Sequence, residues 1–269
     1  MKRLFAFLLV FVVLANFNES FAQKKKKKNK ETSENTTPQV SKVLLRYNLT
    51  KGNSYTQSIS MDMNIETMGM QIPQKQNMSM KVIVTDVAAN GNQSHEATYE
   101  KIYLKQSSPM GDMEFDSENP SKQPAELEQL KQLKGTKFTM VISPRGKIVE
   151  IKGDSQQSPM QQNNVEYPEN PVGVGDSWES EQVTKNAQLG EMKVKSTYKV
   201  SSINNNIVEV QVSGKIFIDN KEQGEMSGTT KIDSKTGLAL ESNIKQKLTM
   251  QMQGMDMKMD SSINVTTKM

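Results

Sequence analysis

Apolar and polar residues alternate with a period of two along most of this chain. From 55 to 65 the odd positions read Tyr55, Gln57, Ile59, Met61, Met63, Ile65, and the even positions read Thr56, Ser58, Ser60, Asp62, Asn64. Successive side chains of a strand point to opposite faces, so such a segment offers one apolar face and one wet face. The pattern returns over 78–84, 138–142, 192–200, 208–218, 248–252 and 255–265, and about a dozen segments meet strand criteria. Between them stand Asn90-Gly91-Asn92, Pro144-Arg145-Gly146, Asn204-Asn205-Asn206, Asp219-Asn220 and Lys235-Thr236-Gly237. Gly and Asn accept the positive φ of tight hairpins, and connections this short make neighbouring strands antiparallel. The expected fold is all-β: an antiparallel meander of about a dozen long strands, as one curved sheet or half-barrel, or as two half-barrel lobes. The apolar phase shifts between Ala97, Tyr99 and Ile102, Leu104, which predicts a bulge near Glu100–Lys101. One short helix is expected near 122–134, capped by Ser121, with Pro124 early, Leu127, Leu130 and Leu133 on one side, and Gly135 at its end.

The first residues set an expectation about compartment. Lys2 and Arg3 precede an uncharged apolar run over 4–15, and Ser20-Phe21-Ala22 supplies the small residues a signal peptidase reads. Residues 1–22 are therefore expected to be a secretory signal cleaved after Ala22, leaving a protein that is periplasmic or secreted. The run is shorter than the ~20 residues a spanning helix needs. The chain has no cysteine, so disulfides, thiolate nucleophiles and Cys-ligated metals are excluded, and core burial must hold the fold together.

The net charge of +4 is unevenly placed. Residues 1–22 carry +1 and residues 23–41 carry +4, which leaves −1 for residues 42–269. The tail over 23–41 is rich in Lys, Asn, Ser and Thr and is expected to be disordered, a solvated spacer or a tether to an anionic envelope surface through Lys24–Lys28. A nucleic-acid partner would need a basic face on the folded part, so none is expected.

The chain reads as two similar halves. Gly52-Asn53-Ser54-Tyr55 and Gly175-Asp176-Ser177-Trp178 each lead an aromatic residue into a strand. An Asn/Gly turn (90–92 or 204–206) and a Gly turn (144–146 or 235–237) follow in each. The expected division is a first β repeat over 42–152, a Gln-, Asn- and Pro-rich connector over 153–171, and a second repeat over 172–269.

No catalytic set stands out, and no enzyme is expected. Gly175-Asp176-Ser177-Trp178 resembles the Gly-Asp-Ser-Leu nucleophile block of a lipase/esterase family, but that chemistry needs a histidine base near the C-terminus, and the one histidine is His95, upstream on a strand. His95 alone cannot build a zinc site. Asp112, Glu114, Asp116 and Glu118 alternate along a strand, as a solvated edge would. No phosphate loop or nucleotide fingerprint appears, so no cofactor is expected.

The unusual feature is methionine, with 19 in the chain. Met-x-Met occurs at 61/63, 68/70, 78/80, 250/252, 255/257 and 257/259. Thioether sulfur is a soft ligand suited to Cu(I), but most of these methionines are in phase with Ile, Val and Leu, which favours a core or a pliable apolar binding face. The candidate ligand-binding face is Met61, Met63, Met78, Met80, Trp178, Met250, Met252, Met255, Met257 and Met259.

Leu45-Arg46-Tyr47-Asn48-Leu49-Thr50-Lys51-Gly52 with Tyr55, the Met61-Asp62-Met63 run, and Pro171-Val172-Gly173-Val174-Gly175-Asp176-Ser177-Trp178 resemble an uncharacterised family of secreted β-rich proteins common in Bacteroidota. In pattern the chain is also similar to periplasmic half-barrel lipid carriers of the lipoprotein-localisation type, which implies long strands curved round an apolar cavity with a helical plug. The reading that follows is an exported, non-enzymatic protein that binds an apolar or lipid-like ligand in the cell envelope. A structural or interaction module of the envelope is the alternative, and Met-based copper binding a second one.

Overall fold

The computed structural model describes residues 42–109, 111–119, 127–153, 165–186, 190–252 and 254–269. The expected signal, the lysine tail, Ser121 and Pro124 lie outside them. In chain order the elements are β1 (Ser54–Thr67), β2 (Met70–Val87), β3 (Gln93–Ser108), β4 (Gly111–Asp116), α1 (Glu128–Leu133), β5 (Lys137–Ile142), β6 (Ile148–Lys152), β7 (Ser177–Asn186), β8 (Gly190–Asn204), β9 (Ile207–Ile218), β10 (Lys221–Asp233), β11 (Ala239–Met252) and β12 (Met255–Lys268). They form one 12-stranded antiparallel sheet in the order β6-β5-β3-β2-β1-β12-β11-β10-β9-β8-β7, with β4 also paired to β3. The sheet is not closed into a barrel: β6 and β7 are its edges.

Of the two architectures the alternation allowed, the chain takes the single sheet. The first and last strands join the halves, pairing from Thr56↔Lys268 to Thr67↔Met257. Side chains from both halves enter one core cluster, including Tyr55, Ile65, Met80, Tyr99, Phe138, Val210, Ile232 and Ile263. A flat sheet this wide could not bury one face by itself, so it curls until that face meets itself.

The outer face is mainly polar, with Ile83, Tyr103 and Phe217 half-buried on it. Asp62 on β1, Lys75 on β2, Lys245 on β11 and Ser262 on β12 stand in one register row. A membrane-spanning barrel shows the reverse polarity, since a lysine on the lipid face at mid-membrane costs about 2–4 kcal/mol. Among the described residues no helix is long and apolar enough to cross a membrane.

The turn residues do what their chemistry allows. Asn205, Asn206, Asp219 and Asn220 take positive φ, as does the Met68-Gly69 pair between β1 and β2. The bulge near Glu100 is present: Ser79 faces Lys101 and Met80 faces Tyr99, so Glu100 is skipped. The alternation read at 78–84 undercounts its strand. β2 starts at Met70 and runs through Pro73, and the ladder to β3 begins at Gln74, past the proline that lacks an N–H. The helix is shorter than the leucine spacing predicts, Glu128–Leu133, and no side chain caps its first turn. Leu127 and Leu130 are buried and Gly135 has φ 80°, so its apolar side and its stop stand as read.

The two strand entries are built alike. Gly52 N–H donates to Val84 O at 2.8 Å, and Val84 N–H donates to Asn53 O at 2.9 Å. Gly175 N–H donates to Val200 O at 2.9 Å, and Val200 N–H donates to Asp176 O at 2.9 Å. The Asn53 side chain accepts from Thr50 N–H at 2.8 Å, and that of Asp176 from Gly173 N–H at 2.9 Å. A bulge follows each entry strand at the same place, after Val84 and after Val200. Gly52 and Gly175 have φ of 91° and 89°, which L side chains rarely adopt.

Candidate functional site

The candidate face is the inner face of the curled sheet, and the ladder places its residues row by row. Met63 faces Gln74 on β2 and Ser261 on β12; Gln74 faces Gln106 on β3, and Ser261 faces Gln246 on β11. The row continues through Met226 and Gly214 to Ser196. The neighbouring row holds Leu104, Gln76, Met61, Ile263, Ile244, Gly228, Val212, Tyr198 and Trp178. Met78 and Met80 lie further along β2, opposite Ile59 and Gln57.

Met61, Met63, Met78, Met80, Met250, Met257 and Met259 are buried in the core cluster. Met255 is half-buried, and Met252 stands opposite it in the β11–β12 register. Trp178 is half-buried, stacked on Tyr198 at 5.2 Å, and its indole N–H donates to Glu166 O at 2.9 Å. The strand pattern thus brings the predicted residues to one face, where seven of the ten methionine and tryptophan positions serve as packing.

The alternation could not flag the glutamines among them. Gln74, Gln76 and Gln106 keep 3%, 6% and 4% of their surface, yet Gln74 Oε1 and Nε2, Gln76 Nε2 and Gln106 Oε1 have no hydrogen-bond partner among the described residues. Each such buried group costs about 1–3 kcal/mol. Gln57 Oε1 and Thr267 Oγ1, opposite each other on β1 and β12, are in the same state. The available signal was phase: Ile72, Gln74 and Gln76 share the parity of Met78. On the second half of the inner face Val194, Met226 and Gln246 are half-buried rather than sealed.

One end of the sheet is closed by the segments before β1 and β7. Val43 and Val172 bridge each other, Tyr47 stacks on Tyr167 at 5.8 Å, and the Tyr167 hydroxyl donates to Gly237 O at 2.6 Å. The last part of the expected connector is therefore packed: Val165 is 5% and Tyr167 0% exposed. Arg145 Nε donates to Tyr167 O at 2.7 Å and fixes the same stretch.

His95 belongs to this plug and is fully buried. Gln93 Nε2 donates to Tyr47 O at 3.2 Å and Leu49 O at 3.0 Å, so Gln93 Oε1 is left to accept from His95 Nε2–H at 3.1 Å. His95 Nδ1 is then the acceptor for the Tyr55 hydroxyl at 3.1 Å. Both ring nitrogens are engaged, which leaves none to serve Ser177. Burial pushes the imidazole down to about 4 and the Tyr55 and Tyr167 hydroxyls well above their ordinary value.

A concavity of about 540 Å³ lies on the opposite face. Its walls are mostly the outward residues Asp62, Asn64, Lys75, Lys105, Lys245, Lys247 and Asp260; Gln74, Gln246 and Ser261 of the inner rows also border it, and of the ten candidate residues Met63 does. Asp62 and Lys75 approach to 4.0 Å, both largely exposed, so this pair adds little. Among the described residues no group of three or more His, Asp or Glu is placed to hold a metal ion.

The model of a family of unknown function, DUF6263, matches residues 90–156 and 154–269. The chain belongs to this family. No curated protein matches it. Among solved structures it is similar to the translocator domain of the autotransporter NalP from Neisseria meningitidis, at 8% identity, 82% of this chain, 89% of that one and a TM-score of 0.38. It is also similar to a DUF1329 family protein from Desulfovibrio piger, at 11% identity, 81% of this chain, 85% of that one and a TM-score of 0.18.

Proposed function

We propose that this DUF6263 member is an exported, non-enzymatic protein of the cell envelope that binds an apolar or lipid-like ligand on the inner face of its sheet. The observation that carries the reading is the mixed state of that face. It is sealed at the plug, but Val194, Met226 and Gln246 keep partial exposure, in or beside the row that holds the unpartnered Gln74 and Gln106. Methionine is pliable, so a core rich in it re-packs around a guest at lower cost than one of branched side chains. The likeness in pattern to half-barrel lipid carriers, and the signal-like residues 1–22, point the same way. Lys24–Lys28 would hold the protein near an anionic surface.

The packing of seven candidate residues sets the condition: the guest enters by displacing side chains. Native mass spectrometry of the mature protein, purified without detergent from its own envelope, tests this. A lipid-mass adduct released on denaturation is expected. A bare mass, together with no change in Trp178 fluorescence on adding a medium-chain amphiphile, would favour an envelope module with a sealed core. A copper-mass adduct would turn attention to the methionine sulfurs instead.

A further inference from the structure

The buried glutamines narrow what such a guest can be. Gln74 faces Gln106 directly across β2 and β3, and Gln76 follows Gln74 on the same face, about 7 Å along the strand. All three are more than nine-tenths buried, and their free atoms are two acceptors and two amide nitrogens. Met63 faces Gln74 across β1, and Met61 faces Gln76, so apolar, deformable surface adjoins the amides.

The charge content of this interior is equally specific. The buried polar residues are Thr, Gln, Ser and His95, with no Lys, Arg, Asp or Glu among the described buried positions. His95 lies in the plug with both ring nitrogens occupied. A carboxylate, phosphate or ammonium brought to Gln74 along the inner face would meet no counter-charge among the described buried residues, and burying an unpaired charge is far costlier than burying a hydrogen-bonded neutral group. A hydroxyl or amide needs both donors and acceptors around it, which is what the three side chains offer.

We propose that Gln74, Gln76 and Gln106 form a recognition site for the uncharged hydroxyl or amide head of an amphipathic ligand, whose apolar body lies against Met61, Met63 and Leu104. This rests on the reading that the inner face takes an apolar guest, and it adds a selection rule: neutral heads bind and ionised heads do not. Gln74 and Met63 also border the outer concavity, but its lysines stand on the opposite face of their strands.

The test uses the mature full chain and three probes with the same ten-carbon tail: 1-monodecanoylglycerol, decanoate at pH 8 and decylammonium at pH 7. Affinity is read by Trp178 fluorescence and by adduct mass. The side-chain NH2 signals of the three glutamines are followed by NMR. Expected is a monoacylglycerol affinity at least tenfold above either ion, with shifts at all three amides. Gln74→Leu/Gln106→Leu should lose at least tenfold in monoacylglycerol affinity while staying folded. Gln74→Asn, which keeps the amide, serves as the variant that should retain part of it. Binding that is equal for all three probes, or unchanged in the double variant, would overturn the glutamine site but leave an apolar guest standing. If no probe binds and the amides show exchange only with water, buried solvent satisfies them, and both the site and the reading beneath it fall.

Discussion

The two halves of the sheet solve one geometric problem in two ways. Beyond β9 the second half places β10, one unbroken strand paired to β9 from Lys221 to Asp233. Beyond β3 the first half places two short strands on the same edge. β4 pairs with Tyr103–Ser108 and β5 with Gln93–Thr98, and α1 lies between them in the chain. The unbroken strand reaches the tight curl by carrying inward glycines: a Cβ on Gly228 would lie 2.0 Å from Asn243 O, and one on Gly224 2.2 Å from Lys247 O. The broken strand reaches it by leaving the ladder and filling the gap with Leu127 and Leu130. The curvature is the common requirement, and side-chain removal or strand interruption each satisfies it.

The comparison can be broken at its strongest point first. Leu130→Ala empties the fill of the broken strand, and a loss of about 4 kcal/mol is expected in urea unfolding, with the neighbouring exposed Lys131→Ala near zero. An effect below 1 kcal/mol would mean that α1 merely covers the sheet.

The second contrast is chemical. His95 sits opposite Val84 where the other half has Val210 opposite Val200. The folded imidazole titrates near 4 and the unfolded one near 6.5. Between these values the unfolded chain binds the proton that the native state refuses. Stability is therefore full above 6.5 and falls as pH drops toward 4, by about 3 kcal/mol in all. His95→Val, the second half's solution, should lower stability at pH 7 but flatten that slope. The single histidine makes the NMR titration unambiguous. A slope unchanged by the substitution would assign the effect to carboxylates.

Gly228→Ala adds a methyl against backbone on β11, and about 2 kcal/mol of destabilisation is expected, measured by thermal unfolding. Gly254, with open space around its Cβ position but φ 78°, is the control for backbone strain alone. The smallest effect concerns the hairpin tips. Met68 holds φ 51° and is 66% exposed, whereas the second half uses Asn205 and Asn206 for such positions. Met68→Asn should gain about 0.5 kcal/mol in the same assay.

Much of this was legible locally. The turns at 90–92, 144–146, 204–206, 219–220 and 235–237, the bulge that skips Glu100, the stop at Gly135 and the common face of the methionines follow from side-chain parity and from which residues tolerate positive φ; the β1–β2 tip at Met68-Gly69 was not read. Three further things were not legible. Glutamine carries no apolar signal, so Gln74 and Gln76 hid the first third of β2. Val165 and Tyr167 follow a stretch that is polar in composition, and the burial of Tyr167 depends on Tyr47 and Gly237, distant in sequence. The helix between β4 and β5 was legible from its leucines and Gly135, but the return of both strands to one edge of β3 was not, because it answers the curl of the whole sheet.

By itself, then, the sequence determined that this protein is an antiparallel β meander with one wet and one dry face and without cysteine chemistry, because alternation and turn propensity act over a few residues. Only the tertiary structure decided that β1 pairs with β12, making one sheet of two halves, and that the dry face holds unpartnered amides beside methionine. Pairing between chain ends and the burial of a glutamine depend on which surfaces meet after the sheet has curled, and no short window of residues contains that information.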